Sequence, residues 1–138
     1  VPVAGAVIVT TPQDIALLDA RKALKMFEKV EVPVLGVVEN MATHVCSNCG
    51  HEENIFGEGG GERMASQYGA AYLGSLPLDI RIRTQADSGN PTVAAMPESE
   101  LAMRYREIAR NAAGRLSRQP RNKSLGLGKI VVQGVPAA

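Results

Sequence analysis

Two cysteines and two histidines fall within eight residues, in the stretch His44-Val45-Cys46-Ser47-Asn48-Cys49-Gly50-His51. Thiolates two residues apart can face one metal, because the intervening turn brings the sulfurs together and Gly50 lets the backbone turn tightly. One such pair is half a site. A tetrahedral zinc or a cubane cluster demands four protein ligands, and the sequence holds no other cysteine. His44 and His51 lie so close that closing the tetrahedron with them would strain the loop. The missing ligands can come from a second copy of the same chain. A thioredoxin-like redox pair is the runner-up, but that motif opens a helix after a strand, whereas Gly50 and Glu52 lead into more loop. Two idle surface thiols are the plain alternative.

Other residues carry weaker signals. Phe56-Gly57-Glu58-Gly59-Gly60-Gly61-Glu62 has the glycines of a phosphate loop. A Walker A loop needs Gly-Lys followed by Ser or Thr, though, and here Glu62 and Arg63 follow, so a hinge or packing loop is the better reading. Asn40 stands just past a strand, at the edge where open α/β sheets bind ligands, and its amide can both donate to and accept from an adenine edge. Turn capping is its structural alternative. Leu76-Pro77-Leu78-Asp79 ends the next strand on the same side. No Ser/His/Asp or Cys/His catalytic set is evident.

The elements that must position these residues follow from hydrophobic periodicity. Strands are predicted at 6 to 10, 34 to 39 and 72 to 76, the first as a run buried on both faces. Helices are predicted at about 13 to 29, 61 to 69 and 98 to 117. Ile15, Leu18, Ala23, Met26, Phe27 and Val30 are expected to line the first helix, and Leu101, Tyr105, Ile108, Ala112 and Leu116 the last. Strand, helix and strand within about 35 residues make a right-handed crossover unit of a parallel sheet. Residues 42 to 61 show no period and read as a functional loop. The expected architecture is a parallel sheet with flanking helices over 1 to 118, then a basic flexible tail over 119 to 138, in which 129 to 133 could form a short edge strand.

The chain has 138 residues, 45% hydrophobic and 21% charged, which excludes wholesale disorder and leaves room for one packed core. No apolar run approaches the ~18 residues of a membrane span, so a soluble, cytoplasmic protein without a membrane partner is expected. The net charge of +1 conceals an asymmetry: residues 104 to 138 hold eight basic groups and only Glu107 as an acid. With Tyr105 as the sole aromatic there, no stacking platform for nucleic acid exists, and a solvated face plus tail is expected. A cytosolic chain would also tend to keep a cysteine pair reduced, which favours metal over disulfide.

Taken in order, VIVTTPQ (7 to 13), VLGVVENM (34 to 41), the Cys46-x-x-Cys49 loop, IFGEGGGE (55 to 62), LGSLPLD (73 to 79) and Asp87 to Pro91 closely resemble the C-terminal half of the Mrp/ApbC family. These are P-loop ATPases of the MinD-like group that carry iron-sulfur clusters, and the match covers about residues 3 to 117. The resemblance implies the C-terminal part of a MinD-like fold. It further implies a homodimer holding a bridging cluster of the 4Fe-4S type on Cys46 and Cys49 of each chain, with transfer to apo iron-sulfur proteins. An adenine site near Asn40, Pro77, Leu78 and Asp79 is also implied, for ATP with Mg2+ in the full-length family. The family's phosphate-binding loop and Mg2+-binding segments are expected upstream of Val1, so ATP hydrolysis by this chain alone is not. A zinc-stapled dimerisation or adaptor module without cluster transfer is the alternative, and zinc can take the site in recombinant material.

Overall fold

The computed structural model describes residues 3–120. Three parallel strands, β1 (Ala6–Thr10), β2 (Val34–Glu39) and β5 (Tyr72–Ser75), form one sheet in the order β1-β2-β5. The parallel pairing of the first two strands, on which the crossover reading depended, is present. Helix α1 (Asp14–Lys29) links β1 to β2, and α2 (Gly60–Gln67) precedes β5. Three helices follow: α3 (Ile80–Asp87), α4 (Thr92–Ala95) and α5 (Glu100–Ser117). Between β2 and α2 lies a small antiparallel hairpin, β3 (His44–Val45) with β4 (Glu52–Glu53). The loop expected over 42 to 61 therefore contains structure, too short to leave a periodic trace. Residues 129 to 133 and most of the expected tail lie outside the described residues.

The core fills the space between α1, α2 and one sheet face, with Ile8, Leu17, Ala20, Leu24, Val37, Met64 and Ala65 buried together. Met64, Leu73 and Val37 are the largest side chains fully removed from water, and each such burial is worth roughly 1.5–3 kcal/mol. Lys25 lies 5.4 Å from the ring centre of Tyr68, tying α1 to the end of α2. Helix α1 turns inward a different face from the one expected. Leu17, Ala20 and Leu24 are buried, while Ile15, Leu18, Met26 and Val30 are exposed. Both stripes carry three- and four-residue spacing, and spacing alone does not say which meets the sheet.

On the other face α5 lies over β5 and β2. Ile108 packs where Gly74 has no side chain: a Cβ there would stand 2.9 Å from Ile108 Cγ1. Asn111 Nδ2 donates to Leu73 O at 2.9 Å, tying α5 to β5. Strand β1 is not buried on both faces as expected. Ile8 and Thr10 are buried, but Val7 is 40% and Val9 61% exposed, because α5 covers its neighbours instead. The outer edge of β1 is unpaired among the described residues.

The triglycine tract is not, as expected, a loop throughout but the close-packed start of α2, with Gly59 at its N-cap and Gly60 and Gly61 in its first turn. A Cβ on Gly60 would meet Pro12 O at 2.7 Å and Leu17 Cδ1 at 2.8 Å, and one on Gly61 would meet Glu39 Oε2 at 3.0 Å. Glu39, 2% exposed, accepts a hydrogen bond from Gly61 N at the start of α2. A buried carboxylate is tolerated there because it meets the positive end of a helix.

Candidate metal centre

The cysteines sit at the tip of the β3–β4 hairpin, where His44 pairs with Glu53 and Val45 with Glu52. The turn closes on itself, with Cys46 N donating to His51 O at 2.9 Å and Gly50 N to Cys46 O at 2.8 Å. Gly50 adopts φ 72° in open space, so glycine is needed there for its backbone and not for room. Both thiols are free, Cys46 half-buried and Cys49 exposed. Hydrogen bonds from the backbone N–H of Asn48, then of Cys49, and then the Cys49 thiol hold the Cys46 thiol below its ordinary pKa, against burial and the Glu53 charge. Two backbone donors aimed at one sulfur stabilise a thiolate, the form that ligates metal.

Among the described residues no group of three or more His, Cys, Asp or Glu side chains is gathered as a metal site. The two histidines part company. His51 is exposed, whereas His44 is half-buried with Nδ1 3.2 Å from Leu78 O.

That contact belongs to a longer track. Past the end of the β2–β5 ladder, Leu76 N donates to Glu39 O at 2.9 Å, Ala42 N to Leu76 O at 3.0 Å and Leu78 N to Thr43 O at 2.7 Å, and His44 bridges Leu78 in parallel fashion. The structure thus sets Pro77, Leu78 and Asp79 directly beside the base of the cysteine hairpin, a juxtaposition that periodicity gives no sign of. Asp79 caps α3, accepting from Arg81 N at 2.8 Å. Its pairing with the Arg81 side chain keeps the carboxyl below its usual range, opposed by burial and helped by the Arg81 backbone N–H and charge and by nearby His44.

Asn40 N donates to Thr10 O at 2.7 Å, and its Oδ1 accepts from Met41 N at 3.0 Å, with Met41 in the left-handed region at φ 57°. Turn capping is therefore real, and it leaves the Nδ2 donor as the group to offer a ligand. Asn40 borders a groove of about 580 Å³ that runs along β1 and α1 past Val7, Val9, Thr11 and Phe27. Asn40 and Pro77 to Asp79 share the C-terminal edge of the sheet, but this groove opens on the β1 side, away from the Pro77 turn.

The model of one family, the NUBPL iron-transfer P-loop NTPases of the ParA group, matches residues 1–113. An iron-sulfur cluster carrier protein of Pseudomonas fragi is 67% identical over 109 residues, covering 79% of this chain and 38% of that protein. Its counterpart in Escherichia coli K12 is 59% identical over 116 residues, 84% of this chain and 31% of that protein. The mouse iron-sulfur cluster transfer protein NUBPL is 46% identical over 120 residues, 87% and 38% of the two chains. The chain thus spans about a third of the length of these relatives. Among solved structures, a nucleotide-binding protein from Archaeoglobus fulgidus in complex with ADP aligns with TM-score 0.58 at 35% identity, over 72% of this chain and 40% of that one. The Pyrococcus furiosus cell division ATPase MinD shares the fold, with TM-score 0.63 at 24% identity over 80% and 43% of the chains. The parallel sheet with its flanking helices is part of a MinD-like P-loop fold, and the chain belongs to the NUBPL iron-transfer P-loop NTPase family.

Proposed function

We propose that this chain is the cluster-carrying portion of an iron-sulfur cluster carrier, holding its cargo on Cys46 and Cys49 of two copies related by a two-fold axis. The observation that carries the reading is the Cys46–Cys49 turn, in which backbone N–H groups already favour a thiolate at Cys46. Two thiolates per chain, with no third ligand gathered beside them among the described residues, match a four-thiolate site only if two chains contribute. The cargo is of the 4Fe-4S type, the carrier a cytoplasmic homodimer and the recipients apo iron-sulfur proteins. The names of the relatives, carriers and transfer proteins of iron-sulfur clusters, support this direction.

In the whole protein the amide of Asn40 and the Pro77, Leu78 and Asp79 turn serve the base of a nucleotide. Asp79 acts there by shaping the turn, since its carboxylate is engaged with Arg81. The ADP held by the Archaeoglobus structure supports a nucleotide for this fold.

The test is anaerobic reconstitution with ferrous iron and sulfide, followed by iron and sulfide analysis and by transfer to an apo-ferredoxin. Cluster uptake at one per two chains, lost in the Cys46→Ala and Cys49→Ala variants, is expected. Stoichiometric zinc at about one per two chains, with no cluster uptake, would instead establish a zinc-stapled dimerisation module.

A further inference from the structure

We propose that His44 is a positioning residue for the cysteine pair: its ring, held by the Leu78 carbonyl, fixes the metal-binding turn against the Pro77–Asp79 segment. This role rests on the metal-centre reading above and adds to it the side chain that anchors the site to the fold.

The hairpin has little else to hold it. It pairs only two residues on each strand, and a hairpin so short is marginal in water on its own. Val45, Glu52 and Glu53 are all exposed, so of the four paired residues only His44 is partly withdrawn from water. Its link to the sheet is the track in which Ala42 and Thr43 pair with Leu76 and Leu78. His44 is the last residue of that track and stands two positions before Cys46. Its Nδ1 lies 3.2 Å from Leu78 O, and because a carbonyl only accepts, Nδ1 carries the hydrogen. His51 is the internal comparison. Its exposed ring makes no hydrogen bond among the described residues, and only its backbone carbonyl, receiving Cys46 N, supports the turn.

Losing one net hydrogen bond at the base of a marginal hairpin changes its opening equilibrium by about five- to tenfold. A turn that opens more often releases its metal sooner without changing which atoms bind it.

The experiment uses Co2+ alone as the probe on the full chain, following the thiolate-to-cobalt charge-transfer band and the rate of cobalt release to a chelator. Amide exchange at Leu78 is measured in parallel. His44→Ala is expected to keep the cobalt stoichiometry and the sulfur-dominated spectrum, to release cobalt about five- to tenfold faster, and to raise Leu78 exchange by a similar factor. His44→Asn, which places an N–H donor near the Nδ1 position, is expected to restore most of the slow release, and His51→Ala to behave as the unmutated chain. Release from His44→Ala within twofold of the unmutated protein overturns the proposal. So does a mixed nitrogen-sulfur spectrum that becomes all-sulfur in His44→Ala, which would make His44 a ligand. Ring-nitrogen NMR of the unmutated chain keeps the test valid should the alanine variant fail to fold, since a ring bearing its only proton on Nε2 removes the donor and the proposal with it. If the unmutated chain shows no cobalt-thiolate band, the metal-centre reading fails and the positioning role with it. The ring proton and the Leu78 exchange would still report whether the tie exists, so the two failures are told apart.

Discussion

Cys46 and Cys49 occupy one turn but not equivalent surroundings, and the difference is measurable. The folded chain holds the Cys46 thiol below its ordinary pKa, through backbone N–H groups that the unfolded chain does not align. Thiolate at Cys46 is thus present at pH values where the unfolded chain still carries a thiol. The associated stability is full above the unfolded pKa and is lost as pH falls through the folded one. Iodoacetamide labelling of Cys46 in a Cys49→Ser variant should therefore reach half its maximal rate at a lower pH when folded than in urea, as read by mass spectrometry. Equal midpoints would mean that the N–H groups do not act on the sulfur. Replacing either cysteine with Ala should abolish metal retention and weaken the dimer together, whereas His51→Ala should keep both, as native mass spectrometry can show. A metal-loaded monomer would refute the shared site. The cysteine pair was legible in the sequence because its residue types and spacing are themselves the chemistry. The Leu78 tie was not, since it joins residues 34 positions apart.

At the scale of elements, the three strands of the parallel sheet and helices α1, α2 and α5 were legible within two residues of their ends, because each sets a run or stripe of apolar residues into the core, whereas the two-residue strands β3 and β4 left no such trace. Helix α3 was not legible either, for it buries no residue and so carries no inward stripe; its local sign is the Asp79 cap. The single turn of α4 after Pro91 is too short to show a period. One element-level constraint is open to direct test at Gly36, in the central strand. A Cβ there would lie 2.6 Å from Ala71 O, the carbonyl that accepts from Val37 N at 2.7 Å. Backbone cannot yield there without breaking the β2–β5 pairing, so Gly36→Ala should destabilise by about 1–3 kcal/mol. Denaturant melts would register this as a lower midpoint, and an unchanged midpoint would show that the strands part freely. Gly69→Ala, in open space at φ 65°, should cost about 1 kcal/mol from backbone strain alone.

For the molecule as a whole, the sequence carries no Gly-Lys-Ser/Thr loop, and phosphate and Mg2+ contacts supply most of the grip on a nucleotide in P-loop proteins. This chain alone should therefore release no phosphate from ATP above a protein-free blank; turnover that disappears in Asn40→Ala would show that the C-terminal sheet edge does more than the base contact proposed for it. The order of the strands carries a different consequence, for how the protein comes into being. Since β1, β2 and β5 lie side by side in chain order, each pairing closes over a connection of modest length, and the sheet can assemble from neighbouring segments as they emerge. Nothing in that assembly waits for metal: the core lies between α1, α2 and the sheet, and the cysteine turn is closed by backbone bonds of its own. Zinc fingers fold only around their ion. Here a chelator should leave the far-ultraviolet spectrum and the refolding rate of the chain nearly unchanged, and under the proposed carrier function cargo would then be something the finished protein picks up and puts down, an emptied molecule returning to service without being refolded.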